Sequence, residues 1–171
     1  MRRKARPFCP RLNAQLESGK VARTWNGPRG SAPYTLTSLA SDPAQPLVAA
    51  AFGDLSVRIW NTDTGQLVHV LTGLDDQAYK MSFSRDGRTL VTIGGARSTV
   101  ATLWDAVKGQ RKDQIHGVVP ADGVGVYGLA VSPSGDRVAV GGNKGGVRVF
   151  SAANGQNIST IPTVGAAATS V

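Results

Sequence analysis

The sequence predicts an all-β protein built from repeated four-stranded antiparallel units, and three observations support this fold class. An aromatic residue recurs at intervals of 44 and 46 residues, at Trp60, Trp104 and Phe150. A Gly-Gln pair follows each aromatic residue at the same distance, beginning at Gly65, Gly109 and Gly155. Each aromatic residue also ends a short run in which side chains alternate in character, which is typical of a β-strand.

The segment 56–73 shows the strand pattern most clearly. Val57 and Ile59 alternate with Arg58, and a glycine-containing turn separates this run from an apolar run that begins at Leu67. A further strand-turn-strand pattern lies upstream of each aromatic residue, in the ranges 37–53, 81–95 and 129–142. A repeat of about 40–45 residues with four short strands is the signature of a propeller blade.

These motifs resemble those of the WD40-repeat β-propeller family, and the resemblance covers residues 30–163. Trp104-Asp105 is the dipeptide that names the family, while Trp60-Asn61 and Phe150-Ser151 stand at the corresponding places in the other repeats. The resemblance implies an incomplete β-propeller of about three four-stranded antiparallel blades plus an extra N-terminal outer strand.

The hydrogen-bonded network of the family is incomplete in this sequence. No repeat opens with the family's Gly-His pair, and Gly73-Leu74 keeps only the glycine. The family's turn aspartate is present only as Asp54, because Ser98 and Lys144 stand there in the other repeats. We therefore expect these blades to depend on packing more than on buried polar links.

The repeats also predict the organisation of the chain. Ser18-Gly19-Lys20 lies 46 residues before a matching turn, so a strand of a preceding blade is expected there. The predicted segments are a basic disordered tail at 1–11, an outer strand at 12–27, blades at 28–73, 74–117 and 118–163, and the start of a further blade or a tail at 164–171. Because a ring needs about four to eight blades, the sequence predicts either a piece of a longer propeller or association through open blade faces.

The charge distribution restricts the classes of partner. The net charge is +8, and eight basic residues against one acidic residue within 1–30 account for +7 of it. The repeats are therefore nearly neutral, so we expect nucleic acid to bind only through residues 1–11. An organelle transit segment is an alternative interpretation of the same basic stretch. Without an apolar run of transmembrane length, we expect a soluble, cytoplasmic protein that does not contact a membrane.

The sequence contains no recognisable catalytic or cofactor site. Cys9 is the only cysteine, and two histidines are too few for a metal cluster. The glycine motif at 123–128 leads into a predicted strand, whereas a nucleotide site needs a helix there. Asp75 and Asp76 are adjacent on an extended chain, so their side chains should point apart. We predict neither enzymatic activity nor a cofactor.

The resemblance implies that partners dock where blade-connecting loops and turns gather on one face. The candidate partner-binding residues are Asp76, Tyr79, Arg97, Asp122, Tyr127 and Lys144. Tyr79 and Tyr127 share a register near the start of the first strand of a blade, with Thr35 in the remaining blade, and amphipathic aromatic residues are common binding anchors.

A noncatalytic protein–protein interaction scaffold, part of a larger propeller, is the function predicted from these features, and the sequence does not name its partner. Two alternatives stay open. One is a regulatory or docking portion of a larger enzyme, and the other is a ribonucleoprotein component that uses the basic N-terminal tail.

Overall fold

A computed structural model describes residues 11–15, 21–26, 35–94, 99–118, 125–142 and 146–162, the first two ranges by their backbone alone. These ranges do not include the predicted tail, except for Arg11, or the segment 164–171. They also do not include the candidate residues Arg97, Asp122 and Lys144. Within the described ranges the chain forms strands and turns, and no helix long and apolar enough to cross a bilayer occurs there.

Fourteen strands lie in the described part of the chain, and they confirm the all-β prediction. Their bounds are β1 Arg11–Gln15, β2 Val21–Asn26, β3 Leu36–Ser41, β4 Leu47–Phe52, β5 Val57–Asn61, β6 Leu67–Leu71, β7 Ala78–Phe83, β8 Thr89–Gly94, β9 Ala101–Asp105, β10 Gln110–Ile115, β11 Val126–Val131, β12 Arg137–Gly142, β13 Val147–Ser151 and β14 Asn157–Ile161. Three antiparallel sheets contain four consecutive strands each: the first sheet is β3–β6, the second is β7–β10 and the third is β11–β14.

The recurring Gly-Gln pair is explained by the turn between the third and fourth strands of each sheet. In the first sheet, Asn61 Oδ1 accepts hydrogen bonds from the backbone N–H groups of Asp63 and Thr64, at 2.9 and 2.8 Å. Asn and Asp side chains close turns in this way. The turn ends at Gly65, whose φ of 76° lies in the left-handed region that favours glycine.

The N-terminal segment has one more strand than the sequence predicted. The predicted outer strand at 12–27 appears as an antiparallel hairpin of β1 and β2, with an irregular register between Ala14 and Gln15. The outer pair β5–β6, which begins 46 residues later, has the same arrangement. The limits of the blades and terminal segments stay predictions, because parts of them lie outside the described residues.

The sheets stack face to face, and their apolar side chains form the core between them. Between the first and second sheets, Ile59 and Leu71 pack in one cluster with Phe83, Leu90 and Trp104, all of them buried. A second cluster joins the second sheet to the third and is formed by residues such as Leu103, Ile115, Val138 and Phe150. Trp104 and Phe150 thus contribute to the contacts between neighbouring sheets, as packed side chains do in sheet sandwiches, whereas Trp60 packs with Phe52 within the first sheet.

The innermost strands of the three sheets lie side by side at the centre of the assembly. β7 contacts both β3 and β11, the first strands of the neighbouring sheets. A hydrogen bond of 2.6 Å from the Thr37 hydroxyl to the Ala78 carbonyl joins β3 to β7. The first strands of neighbouring sheets therefore present their starting residues close to one another.

Candidate protein-binding face

Each innermost strand contains a β-bulge one residue after its start. In β7, Ala78 lies opposite Gly94 and Lys80 lies opposite Ile93, so Tyr79 is the extra residue. The same shift in β11 makes Tyr127 the extra residue, and in β3 it falls on Thr37. The register thus identifies Thr37, and not Thr35, as the counterpart of the tyrosines. Bulges re-aim a side chain and are over-represented next to functional sites.

The two bulged tyrosines expose large fractions of their surface. Tyr79 is 49% exposed and Tyr127 is 43% exposed, although both lie in neighbouring central strands. The Tyr127 ring packs against the backbone at Gly125, where an added Cβ would lie 3.5 Å from the ring Cζ atom. The structure therefore brings these two predicted residues to the same end of adjacent strands.

Gln77 connects Tyr79 to the first sheet, a role that sequence reasoning missed. The Tyr79 hydroxyl donates to Gln77 Oε1 at 3.0 Å, and Gln77 Nε2 lies 3.4 Å from the Gly53 carbonyl oxygen. A glutamine in a loop gives no signal of such a bridge in the sequence. The link therefore holds the hydroxyl of a side chain that remains half-exposed.

Asp76 lies in the loop that leads into β7, beside the tyrosine. Its side chain is half-buried, and its Oδ1 atom accepts a hydrogen bond of 2.7 Å from the Gln77 backbone N–H. The neighbouring Asp75 Oδ2 atom accepts a hydrogen bond of 3.0 Å from Gln114 Nε2 on β10. These carboxylates have different partners, which suits positions on a docking loop rather than a shared acid–base pair.

Two aspartates with a lowered pKa lie elsewhere in the described part of the chain. The pKa of Asp86 is lowered chiefly by the hydrogen bond from the Ser84 hydroxyl, and that of Asp136 by hydrogen bonds from Ser132 and Ser134. Both aspartates stand in turns that follow the first strands, at the opposite end from Tyr79. Among the described residues, no group of three or more histidine, cysteine or acidic side chains could hold a metal ion.

One hydrogen bond of the network expected for the family is present in the second sheet. The Trp104 indole N–H donates to Thr92 Oγ1 at 3.0 Å, with both residues buried. Asp54, at the predicted turn position, instead forms local bonds, including one of 2.5 Å from the Ser56 hydroxyl. A partial buried network beside apolar packing is consistent with the absence of the Gly-His pair.

Comparison with known proteins supports the repeat assignment. The family profile described as "WD domain, G-beta repeat" matches residues 19–61 and 115–151. Transducin beta-like protein 3 of Rattus norvegicus is 27% identical over 133 residues, which are 74% of this chain and 16% of that protein. Periodic tryptophan protein 2 of Saccharomyces cerevisiae is 26% identical over 125 residues, 72% of this chain and 13% of that protein. The chain thus spans about one sixth or less of the length of these two relatives.

A solved structure has the same fold. The crystal structure of RRP9 WD40 repeats superposes with a TM-score of 0.66 at 24% identity, covering 81% of this chain and 42% of that chain. The profile match therefore shows WD40 repeats at residues 19–61 and 115–151 of this chain, and the solved structure shows that the chain has the fold of WD40 repeats.

Proposed function

We propose that the chain is a noncatalytic protein–protein interaction scaffold of WD40 type and forms part of a larger propeller. The observation that carries the proposal is the pair of bulged, half-exposed tyrosines on adjacent central strands. Tyrosine combines a large apolar ring with a polar tip and is enriched among residues that dominate binding energies. The face around Tyr79 and Tyr127 is therefore the proposed docking face.

The proposed docking face extends to the loops beside the tyrosines. Asp76 supplies a carboxylate next to Tyr79, so the face offers a charged group beside two aromatic rings. From their places in the repeats, Arg97, Asp122 and Lys144 are proposed to contribute to the same face. Loops held by a rigid sheet scaffold commonly carry the specificity of such a surface.

Membership of a larger propeller is supported by the lengths of the relatives and by the third sheet. Ile161 on β14 is 56% exposed, whereas Leu71, at the same place in the first sheet, is 1% exposed. An apolar blade face of this kind is normally covered by another sheet. A cytoplasmic location and nucleic-acid binding through residues 1–11 stay predictions.

A peptide-library selection tests the docking face. Peptides enriched on the unmodified protein are measured for affinity against a Tyr79→Ala/Tyr127→Ala variant. The matched control is Leu67→Ala/Val107→Ala, since these side chains are 49% and 59% exposed and lie away from the tyrosines. We expect the tyrosine variant to bind about thirtyfold more weakly, as the loss of about 2 kcal/mol at a hot spot predicts.

The control variant should bind the selected peptides like the unmodified protein. Equal affinity of both variants, with unchanged melting temperatures, would show that peptides dock on another surface. An enrichment that fails to yield any peptide with measurable affinity would likewise count against the proposed face.

A further inference from the structure

A cleft with a volume of about 350 Å³ separates the outer strand of the second sheet from two turns of the third sheet. Its walls are formed by Asp113 on β10, by the β11–β12 turn at Ser134 to Asp136, and by Ala152 and Ala153 in the β13–β14 turn. Lys112 stands at its edge. The cleft lies at the turns that follow the first strands, so it is distinct from the docking face at Tyr79 and Tyr127.

The corresponding place between the first and second sheets is filled by an imidazole ring. His69 lies opposite Ile59 in the β5–β6 pair, as Asp113 lies opposite Leu103 in the β9–β10 pair, so these two residues are equivalent. The His69 ring packs over Gly109 so closely that an added Cβ would collide with it. Its Nε2 atom lies 3.0 Å from the Val107 carbonyl oxygen.

The other walls of the two sites also correspond. The Ala106 N–H donates to the Arg88 carbonyl in the second sheet, and the Ala152 N–H donates to the Asp136 carbonyl in the third. Asp136 therefore takes the place of Arg88, and Ala153 takes the place of Val107. The third difference is Asp113 in place of His69. Each of the three replacements puts a smaller side chain at the site, and two of them introduce a carboxylate. The cleft is thus the same inter-sheet site with its filling side chain removed.

The groups that remain in the cleft accept hydrogen bonds. Asp136 Oδ1 is held by the hydroxyls of Ser132 and Ser134, each at 2.6 Å, and these bonds keep the pKa of its carboxyl below the ordinary value of 3.8. Asp113 Oδ1 accepts a hydrogen bond of 2.7 Å from the Gln114 backbone N–H. Both carboxylates are therefore positioned, and Asp136 is ionised at neutral pH.

Two basic groups stand near these carboxylates and limit the choice of ligand. Arg137 Nε lies 3.9 Å from Asp136 Oδ2, and the two side chains are 61% and 62% exposed. An exposed pair at this distance contributes little energy and can be replaced by a closer partner. A planar donor that reaches both carboxylates and the Ala153 carbonyl would compete best with Arg137 and Lys112, because bidentate guanidinium–carboxylate pairs are strong and directional.

We propose that this cleft binds an arginine side chain of a partner protein. The guanidinium occupies the place that the His69 ring occupies one interface earlier. It donates hydrogen bonds to Asp136 and Asp113 and, as His69 does to Val107, to the carbonyl of Ala153. The apolar part of the arginine side chain lies against Ala152.

The test uses a capped alanyl-arginyl-alanine tripeptide, followed through the amide chemical shifts of the full chain by NMR at neutral pH. The matched probe is the same tripeptide with citrulline, which keeps the shape of arginine and removes its charge. We expect the arginine probe to shift the Gly135 and Ala153 amides in a saturable manner. The citrulline probe should bind about tenfold more weakly, as the loss of a charge-assisted hydrogen bond predicts.

Two variants locate the site. Asp136→Asn should weaken binding of the arginine probe by about tenfold, and Asp113→His should block it by restoring the side chain that fills the first interface. Asp63→Asn removes a carboxylate from a turn of the first sheet and should leave binding unchanged. Equal shifts with arginine and citrulline, shifts confined to residues away from the cleft, or an unaffected Asp136→Asn variant would each overturn the proposal. The citrulline comparison needs no variant, so it remains decisive if a substitution disturbs folding.

Discussion

At the scale of single residues, Trp104 combines packing and a hydrogen bond at one buried position. Its side chain is 1% exposed and lies in the cluster that joins the first and second sheets. We expect Trp104→Ala to lower the free energy of unfolding by about 3–5 kcal/mol, because a large cavity remains between the sheets. Denaturant unfolding measures this loss, and a change of only a few tenths of a kcal/mol would contradict the burial.

The hydrogen bond of Trp104 can be tested separately from its packing. Thr92→Val keeps the shape of the partner side chain and removes the oxygen that accepts from the indole N–H at 3.0 Å. The buried donor then has no acceptor in that place, so we expect a cost of about 1–3 kcal/mol. Thr64→Val, in an exposed turn, is the control in the same unfolding measurement. A Thr92→Val variant as stable as the unmodified protein would show that the bond contributes nothing net.

The lowered pKa of Asp86 predicts how the free energy of unfolding depends on pH. Its pKa is lowered from the ordinary value of 3.8, chiefly by the hydrogen bond of 2.5 Å from the Ser84 hydroxyl and also by the Arg88 backbone N–H. A lowered folded-state pKa means that the stabilisation is present above 3.8 and is lost as the pH falls through the folded value. We therefore expect Ser84→Ala to reduce the acid sensitivity of the denaturation midpoint below about pH 4. An identical pH profile for the variant and the unmodified protein would refute this role for the hydroxyl.

At the scale of strands and turns, Gly109 and Gly117 form a matched pair. Both have a φ of 68°, where a side chain costs about 1–2 kcal/mol. An added Cβ at Gly117 meets nothing within 4 Å, whereas at Gly109 it collides with the His69 ring. We expect Gly109→Ala to destabilise the protein more than Gly117→Ala by about 1 kcal/mol, because the ring and its bond to Val107 are displaced.

A double variant identifies the cause of that difference. In a His69→Ala background, Gly109→Ala and Gly117→Ala should have equal effects on the free energy of unfolding. If the difference persists without the imidazole ring, the cost at Gly109 arises within its own turn and not from the contact between sheets.

The elements that the sequence predicted are those set by local chemistry. Alternation around Ile59 and the left-handed glycine at Gly65 depend on neighbours in the chain, so the repeats, the strands and the turn glycines could be inferred directly. The bulge at Thr37 could not, because it is an irregularity in pairing with β4. The sequence alignment placed Thr35 beside the tyrosines for that reason.

The candidate site was predictable only in part. The shared register of Tyr79 and Tyr127 was visible in the sequence, and the structure places them on adjacent strands. The bridge through Gln77 and the equivalence of His69 with Asp113 depend on contacts between sheets. Those contacts join residues that are distant in the chain, and a repeat with altered side chains gives no local signal of them.

At the scale of the whole molecule, the third sheet presents a face that the other two sheets bury. Val57 and Ile59 are fully buried by the second sheet, but Val147 and Val149, at the same places in the third sheet, are only half-buried. Ile161 continues this surface with 56% of its side chain exposed. Contiguous apolar surface of this kind favours association, since burial gains about 25 cal/mol per Å².

We therefore expect the isolated chain to self-associate through the third sheet. Sedimentation should show a concentration-dependent increase in mass, and Val149→Lys/Ile161→Lys should shift the protein toward the monomer, because burying two ammonium groups in an apolar interface is costly. Leu67→Lys is the control, since Leu67 is 49% exposed but lies on the first sheet. If the lysine pair leaves the association unchanged while Leu67→Lys weakens it, the contact lies on the first sheet. If the unmodified chain is a compact monomer at all concentrations, the third sheet is covered within the chain and the prediction of an open blade face is wrong.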